Sequence, residues 1–456
     1  MNDIKSLGSE SIGKLLAKYS IPAVIAMLVN AIYNVVDRIF IGKFVGEGAL
    51  AGLTVVFPVM MIIFAFASLI GAGGASLLSI RLGENDLDGA NKVFGNTLSF
   101  GIIVTAITLL TIRFNLNALL GIFGASKDVL VYASSYMSII LMGFIFQMIS
   151  FILNSSVRTE GKPLLSMVAM VTSAVTNIVL DYVFIVAFGM GVEGAAYATI
   201  IGQFAGLIIL GRFYFTGKSQ LKVTRHDLKL DFKIIANIIS IGFATFVSTI
   251  GTSIAMTFIN RSLSIYGGTA AITSMGAINS LYTFFIMPIM GITQGMQPII
   301  GYNFGAKNND RVMQTLKYGI IIGMTFSTIV FSMLELFPNQ FLSMFLSKDS
   351  STINVAVIGL RIFIAMLPLL SINLMGVAYF QSIAQGRTSM FLGMLRQFIV
   401  LIPLILVLPN YLGLTGVWIA TPIADGVAII ITVLVLLWNR SKKSDNRNSI
   451  SMSAVS

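Results

Sequence analysis

The stretch at residues 176–185, TNIVLDYVFI, places a carboxylate inside an apolar run. From Leu164 to Phe188, the only strongly polar side chain besides that of Asp181 is Asn177, four residues earlier. A spacing of four puts both side chains on one face of a helix, one turn apart. An ionisable group at membrane depth is costly and by default marks the path of an ion or a substrate. The stretch therefore predicts a functional site within a membrane-spanning helix.

The chain contains one companion of the same kind. Asp37 lies in the first apolar run, and Tyr33 and Asn30 precede it by four and seven residues, on the same helical face. We interpret the two aspartates as one site that responds to protons or sodium ions in a transporter.

The composition indicates a polytopic membrane protein. Of 456 residues, 56% are hydrophobic and 10% are charged, and the mean hydropathy is +0.91. An ordinary soluble domain has about 25% charged residues. The net charge of +11 does not indicate a nucleic-acid partner, because the basic residues sit between apolar runs rather than along one stripe. With no cysteine there is no disulfide, and the polar N-terminus lacks the pattern of a cleaved signal peptide.

Apolar runs long enough to cross about 30 Å of hydrocarbon occur twelve times along the chain. The predicted spans are near residues 18–41, 50–80, 92–113, 129–156, 164–188, 192–216, 234–264, 269–302, 313–336, 352–383, 389–410 and 414–438. We predict an all-α membrane protein with two six-helix lobes. The N-lobe covers 1–216, a cytoplasmic linker 217–233, the C-lobe 234–440 and a cytoplasmic tail 441–456.

The distribution of basic residues predicts the topology. Most Lys and Arg lie near the termini, in the loops after even-numbered spans and in the linker. Positive residues favour the cytoplasmic side of a membrane. Both termini are therefore expected inside a bacterial cytoplasmic membrane, in agreement with an even number of spans.

The two halves also repeat in sequence. Residues 45–84 align with 267–306 at a constant offset of 222, and residues 191–203 align with 413–425 at the same offset. Residues 161–167 align with 386–392. Both halves start on the same side, so the repeat is parallel, and secondary transporters often carry their substrate between such halves.

The repeat makes the aspartates informative. Asp37 aligns with Ile259 and Asp181 with Leu406, so the scaffold does not require a carboxylate at either position. At 1.5 Å per residue, the two aspartates and Thr199 of the sixth span lie roughly 7–11 Å below the outer interface. Groups from three helices at one depth predict a single pocket.

Two carboxylates in one pocket would titrate as a coupled pair. Protonation would remove their repulsion and allow hydrogen bonds with Tyr33, Asn177 and Thr199, which supplies the differential interaction that a two-state switch requires. The oxygens of Asp37, Asp181, Asn177 and Thr199 would equally suit Na⁺. The residues do not separate the two ions.

Other candidates carry weaker predictions. Asp425 is interpreted either as a second-half site or as a residue paired with Arg396 or with a helix end. Glu335 is interpreted as a solvated cap, and His226 as a linker residue without a function. Polarizable and polar side chains predict a substrate cavity for flat organic cations. These cavity residues are Asn30, Met256, Phe284 and Met287.

The chain resembles the multidrug and toxic compound extrusion (MATE) family, in its DinF-like bacterial branch. The resemblance covers roughly residues 10–440 and rests on YNVVDRIFIG, on the GKP loop and on NIVLD. It implies that Asp37 and Asp181 carry cation coupling and that Tyr33, Asn177 and Thr199 complete a hydrogen-bond network. It further implies that Pro22 is a hinge. In other branches an acidic residue in the seventh span matters, and this chain has none there.

We therefore predict a secondary antiporter that exports cationic, amphipathic drugs in exchange for H⁺ or Na⁺, without a cofactor and functional as a monomer. The alternative is a flippase of the same superfamily for lipid-linked oligosaccharide or phospholipid. Its phosphate-binding cavity would need several basic residues, and Arg38 and Arg361 are those assigned to spans. A channel leaves the repeat unexplained. An enzyme is not expected, because no histidine lies in a predicted span to build a catalytic or zinc site.

Overall fold

The computed structural model describes residues 2–346 and 351–453, and within them all regular structure is helical. The spans, numbered in chain order, are formed by Ile12–Val45, Gly48–Gly83, Leu87–Phe114, Lys127–Thr159, Pro163–Ala187, Gly191–Phe215, Phe232–Gly305 (spans 7 and 8), Asn309–Leu336, Thr352–Phe363 with Leu367–Ser382 (span 10), and Gly386–Ser441 (spans 11 and 12). Short helices Asn2–Ser9, Leu116–Ile122 and Pro338–Leu342 lie outside the spans.

Two glycines divide the longest helices into separate spans. The backbone is left-handed at Gly268, with φ 62°, and at Gly413, with φ 57°, so each continuous helix is two spans joined at a sharp break. The two parts of span 10 meet at an angle of 50°. With these divisions the described residues form the twelve spans expected from the sequence.

The backbone repeats as the sequence does. Gly191, at the start of span 6, has φ 59°, and its repeat counterpart Gly413 has φ 57°. Asn85 and Lys307, which are also related by the offset of 222, have φ 59° and 58°. Non-glycine residues rarely adopt positive φ. The shared positive φ of Asn85 and Lys307, together with that of the glycine pair, supports two pseudo-symmetric lobes.

The lobes join through close helix contacts in the half of the bundle that holds both termini, which we call the terminal face. Span 2 packs against spans 7 and 8, and span 1 packs against span 8. A Cβ atom on Gly242 would overlap the carbonyl of Leu69, and one on Gly305 would overlap that of Ile80. Asn303 at the end of span 8 donates to the carbonyl of Leu7 at 2.9 Å.

The hydrophobic cores show where the lobes separate. One core is continuous from the N-lobe into the part of the C-lobe near the terminal face. A second core lies in the other half of the C-lobe, between Ala255 and Ala424 along the chain, and consists of C-lobe residues throughout. The lobes thus share a core at the terminal face, whereas the opposite half of the C-lobe packs in a core of its own.

The linker does not hang free between the lobes, because it is fastened to the N-lobe. Ser219 donates to Glu160 Oε2 at 2.7 Å, and the backbone N–H of Gln220 donates to the same oxygen at 2.8 Å. Further along, Asn96 of span 3 accepts from the backbone N–H of Asp231 at 2.6 Å. Hydrogen bonds from the N–H and hydroxyl of Thr224 lower the pKa of the Asp227 carboxyl. The linker therefore belongs structurally to the N-lobe.

Glu160 is the main anchor of the linker, and we expect its removal to destabilise the protein. Glu160→Ala leaves the hydroxyl and the N–H that it accepts from unpaired, at a cost of about 1–3 kcal/mol. Thermal unfolding in detergent measures this, with Lys218→Ala, an exposed change in the same linker, as control. An unfolding midpoint equal to that of the control would contradict the anchor role.

The same carboxyl predicts a pH dependence. Burial raises the pKa of Glu160, so its protonated form is favoured in the folded state. Its contribution to stability is therefore complete below the ordinary pKa of glutamate and is lost as the pH rises through the raised value. We expect the unfolding midpoint of the wild type to fall relative to that of Glu160→Gln as the pH increases. Parallel pH profiles for the two proteins would contradict this.

The helix that contains spans 11 and 12 continues beyond Ser441 to Ser453. The predicted tail, 441–456, is thus helical over most of its length, and residues 454–456 lie outside the described part of the chain.

Candidate functional site in the N-lobe

The acidic residues predicted from the sequence are buried in the N-lobe. Asp37 lies near the end of span 1, and Asp181 lies in span 5 with an exposed fraction of 0%. Asn177, one turn before Asp181, and Thr199 in span 6 are also buried. Span 5 packs against both span 1 and span 6. The structure therefore brings the predicted residues of three spans into one region.

Close helix packing sets the contact between spans 5 and 6. A Cβ atom on Gly202 would lie 2.7 Å from the carbonyl oxygen of Ser173, so glycine is required for this approach. One turn away, Asn177 Nδ2 donates to Thr199 Oγ1 at 3.3 Å. The Thr199 hydroxyl donates in turn to the carbonyl of Ala195 at 3.0 Å. These bonds orient the amide so that its oxygen stays free.

Several buried oxygens in this region have no hydrogen-bond partner among the described residues. They are both carboxylate oxygens of Asp181, Oδ1 of Asp37 and Oδ1 of Asn177. Buried polar atoms are normally paired, and a buried ionised carboxylate is expensive unless a cation or a proton compensates it. The cluster is therefore suited to bind a cation. We call Asp37, Asn177, Asp181 and Thr199 the N-lobe acidic cluster.

A local change of helix type follows each aspartate. The chain is π-helical at Ile41–Val45, one turn after Asp37, and at Tyr182–Ala187, directly after Asp181. Single π-helical turns occur frequently at functional sites. These π-helical turns were not predicted from the sequence.

Two tyrosines border the cluster, and the sequence prediction included only one. Tyr33 is half-buried beside Asn34 and interacts electrostatically with Asp37 and Asp181. Tyr136 of span 4 is buried, faces the hydroxyl of Thr199, and interacts electrostatically with both carboxylates. Tyr136 lies about seven residues from the start of predicted span 4, which is the depth assigned to the aspartates. The same depth criterion could have identified it.

Replacing Tyr136 by Phe should weaken the cluster while preserving packing. The change removes one hydroxyl that faces Thr199, and a neutral hydrogen bond contributes about 0.5–1.5 kcal/mol. We expect an apparent cation affinity up to about tenfold lower, measured as the proton or Na⁺ concentration that gives half-maximal transport. Tyr132→Phe, one turn earlier and partly exposed, is the control. Equal affinity in the two variants would exclude Tyr136 from the site.

Both H⁺ and Na⁺ fit the donor set. Two carboxylates, an amide oxygen and a hydroxyl are hard oxygen ligands of the kind that alkali and alkaline-earth cations prefer. In residues 2–346 and 351–453 no group of three or more His, Cys, Asp or Glu could hold a metal ion.

The residues predicted to line a substrate cavity are placed less decisively. Met256 and Met287 are half-buried, and Phe284 is 45% exposed and packs edge-on against Phe285. Asn30 is half-buried and accepts from the Asn34 side chain. A cavity of about 590 Å³ in the N-lobe is lined instead by residues of spans 3, 4 and 6, among them Ser138, Glu193 and Tyr197. The substrate-cavity assignment stays a prediction.

Pro22 lies inside the α-helical part of span 1, which runs without interruption from Ile12 to Phe40. It is about four turns from Asp37 along the same helix. A proline there removes one backbone hydrogen bond and permits a bend. Its role as a hinge stays a prediction.

The remaining charged candidates are mostly paired. Arg396 Nε donates to Asp425 Oδ1 at 2.5 Å, so the interpretation of Asp425 as a partner of Arg396 is confirmed. Glu335, interpreted as a solvated cap, forms an ion pair with Arg361 at 3.2 Å. Arg38 is exposed, lies over the ring of Phe57 at 5.7 Å and interacts electrostatically with its neighbour Asp37. His226 is exposed in the linker.

Comparisons with known proteins agree with this architecture. The sequence model of the MatE family matches residues 22–183 and 241–407, a segment from each lobe. The chain is 26% identical over 432 residues to the multidrug export protein MepA of Staphylococcus saprophyticus, covering 95% of each chain.

Solved structures give the same result. A multidrug resistance MATE family transporter of the MOP superfamily in an outward-facing conformation superimposes with a TM-score of 0.91 at 28% identity, covering 98% of this chain and 99% of the other. A MATE crystal structure in a bent conformation gives a TM-score of 0.90 at 27% identity, with the same coverage.

Proposed function

Since this chain belongs to the MatE family, whose recognition from the sequence is thereby confirmed, we propose that it is a multidrug efflux antiporter. It exports cationic, amphipathic organic compounds in exchange for H⁺ or Na⁺. The family and its structural relatives are transporters that span the membrane many times, as this chain does. The name of its relative MepA, a multidrug export protein, supports the substrate class.

The observation that carries the coupling proposal is the set of unpartnered carboxylate oxygens in the N-lobe acidic cluster. Asp37 and Asp181 lie close enough for their charges to interact, and Asp181 has no hydrogen-bond partner for either oxygen. A cation that binds there removes a repulsion and satisfies buried acceptors. It thereby gains binding energy from a particular arrangement of spans 1, 5 and 6, which is what a conformational switch requires.

The packing between the lobes gives this switch a direction. The lobes share a core at the terminal face and the opposite half of the C-lobe has a separate core, which supports an alternating-access state that is closed at the terminal face. With both termini in the cytoplasm, as the positive-inside rule favours, the closed side faces the cytoplasm. Cation binding in the N-lobe would then accompany release of the exported compound to the outside. Both lobes and the cluster belong to one chain, which supports a monomeric unit.

The coupling ion is tested with purified protein in proteoliposomes. Uptake of a fluorescent organic cation such as ethidium is measured while a proton gradient and a sodium gradient are imposed separately. We expect one gradient to drive uptake against the concentration of the dye and the other to have no effect. Equal passive uptake under either gradient and under none would contradict an antiporter.

The flippase alternative is not favoured by the structure. The sequence count assigned Arg38 and Arg361 to spans, but the described spans contain further basic residues, among them Arg158 of span 4 and Arg396 in the π-helical segment Leu395–Leu401 of span 11. Both Arg361 and Arg396 are paired with carboxylates of their own lobe. Neither is therefore an unpaired cation available for a lipid phosphate.

A further inference from the structure

The C-lobe holds a buried ion pair in the region that the repeat relates to the N-lobe acidic cluster. Arg396 of span 11 bonds to Asp425 of span 12, and its Nη2 donates to the hydroxyl of Tyr282 in span 8 at 3.4 Å. The side chains of Arg396 and Asp425 are 18% and 5% exposed. The proposed function makes no use of this pair.

The repeat relates the two regions residue by residue in the last span of each lobe. The offset of 222 aligns Thr199 of the N-lobe acidic cluster with Thr421 of span 12. Thr421 is buried, and its hydroxyl has no partner among the described residues. Asp425 follows Thr421 by one helical turn, on the same face. The ion pair thus lies one turn from the C-lobe counterpart of the cation-binding region.

The two regions differ in how charge is balanced. In the N-lobe, Asp37 and Asp181 leave carboxylate oxygens unpartnered, so the compensating cation must come from solution. In the C-lobe, the carboxylate of Asp425 is compensated by Arg396, which stays protonated at every physiological pH.

The segment that carries Arg396 is held in place. It is π-helical from Leu395 to Leu401, and the next residue, Gln397, donates to Thr252 of span 7 at 3.0 Å. Gly251 allows this approach, because a Cβ atom there would lie 2.7 Å from the ring of Phe398. Arg396 is therefore a fixed component of the lobe rather than a mobile surface side chain.

We propose that Arg396 is a built-in counter-cation for Asp425, one turn from the C-lobe counterpart of the cation-binding region, so that exchangeable H⁺ or Na⁺ binds in the N-lobe alone. Arg396 thereby fixes the number of coupling ions per transport cycle. This inference rests on the proposed antiport function, and it makes Arg396 a determinant of stoichiometry rather than of substrate binding.

The test is to remove the guanidinium and count bound cations. Arg396→Met keeps the length of the side chain and leaves Asp425 uncompensated. In detergent we measure proton uptake by titration and Na⁺ binding with radioactive sodium. We expect Arg396→Met to bind one additional cation per molecule compared with the wild type. The double variant Arg396→Met/Asp425→Asn should return to the wild-type number.

Controls separate this inference from the proposed function. Arg361→Met breaks the more exposed C-lobe pair, in which Arg361 is 53% exposed, and should bind no additional cation. Placing Arg396→Met in an Asp181→Asn background should retain the additional cation even though the N-lobe site is lost. If the protein with wild-type Arg396 bound no cation, that result would contradict the N-lobe proposal and not the inference about Arg396.

Two results would overturn the inference. One is a wild-type cation number in folded Arg396→Met. The other is a double variant that binds fewer cations than the wild type, because Asp425 would then itself hold an exchangeable ion. If Arg396→Met does not fold, the double variant still tests the inference, because it contains no buried unpaired charge. Fewer bound cations than in the wild type would overturn the inference, and the wild-type number would support it. Arg396→Lys, which keeps the charge, should retain the wild-type number.

Discussion

Replacing Asp181 by Asn is expected to abolish cation-driven efflux while the protein still reaches the membrane. The amide has nearly the shape of the carboxyl group but cannot ionise, so it mimics a permanently compensated residue. Asp181 is fully buried with both oxygens unpartnered, and loss of its charge removes the reason for a cation to bind. Moving a two-state protein from 1:99 to 99:1 takes about 5.5 kcal/mol of differential binding. A site that no longer binds a cation more tightly in one conformation than in the other cannot supply this free energy.

The measurement is dye efflux from cells and gradient-driven uptake in proteoliposomes. Asp37→Asn should give the same loss, because its carboxylate interacts with that of Asp181. Asp128→Asn, an exposed aspartate at the start of span 4, is the matched control and should transport like the wild type. Full drug export by both cluster variants would show that the coupling site lies elsewhere.

The sequence predicted this cluster because the surrounding residues are so uniformly apolar. In a span of hydrocarbon side chains a single carboxylate is conspicuous, and the repeat showed that Leu406 serves in the same place of the other lobe. Helical periodicity then added Asn177, which the structure places in contact with Thr199. Such reasoning succeeds when local spacing determines which side chains share a face.

The sequence could not predict contacts that depend on how distant segments pack. Depth in span 4 could have identified Tyr136 as a candidate, but that it borders the cluster depends on how spans 4 and 6 pack together. The linker was expected to separate the lobes by its polarity. Its attachment to Glu160 joins residues about sixty positions apart in the chain and has no periodic signal.

The helices also extend beyond the predicted spans. Span 1 was predicted at 18–41, and the helix runs from Ile12 to Val45, about 50 Å at 1.5 Å per residue. Hydropathy identifies the part that matches the membrane, whereas the helix continues as long as its backbone hydrogen bonds do. Hydropathy likewise predicted spans 7 and 8 as separate runs, whereas the structure has one long helix that is interrupted there only at Gly268.

The second large effect is expected from Gly242→Ala at the contact between the lobes. An added methyl group on span 7 would overlap the carbonyl of Leu69 on span 2, and a backbone carbonyl cannot move aside as a flexible side chain can. Alanine gains about 1 kcal/mol of helix propensity over glycine. Overpacking a rigid contact costs about 1–3 kcal/mol or more. We therefore expect the overlap to prevail and to force the lobes apart at the terminal face.

The natural absence of cysteine makes this separation measurable with a single reporter. Ser20→Cys places a thiol at a buried position of span 1 against Gly295 of span 8. In the Gly242→Ala background its labelling by a permeant maleimide should rise about tenfold, because 1.4 kcal/mol changes a population ratio by that factor. Gly276→Ala, in span 8 with open space around it, should leave labelling unchanged and slightly raise thermal stability. If Gly242→Ala behaved like Gly276→Ala, the lobes would not be held by the close approach of spans 2 and 7, and the packing at the terminal face would have to be maintained by the remaining contacts of span 8.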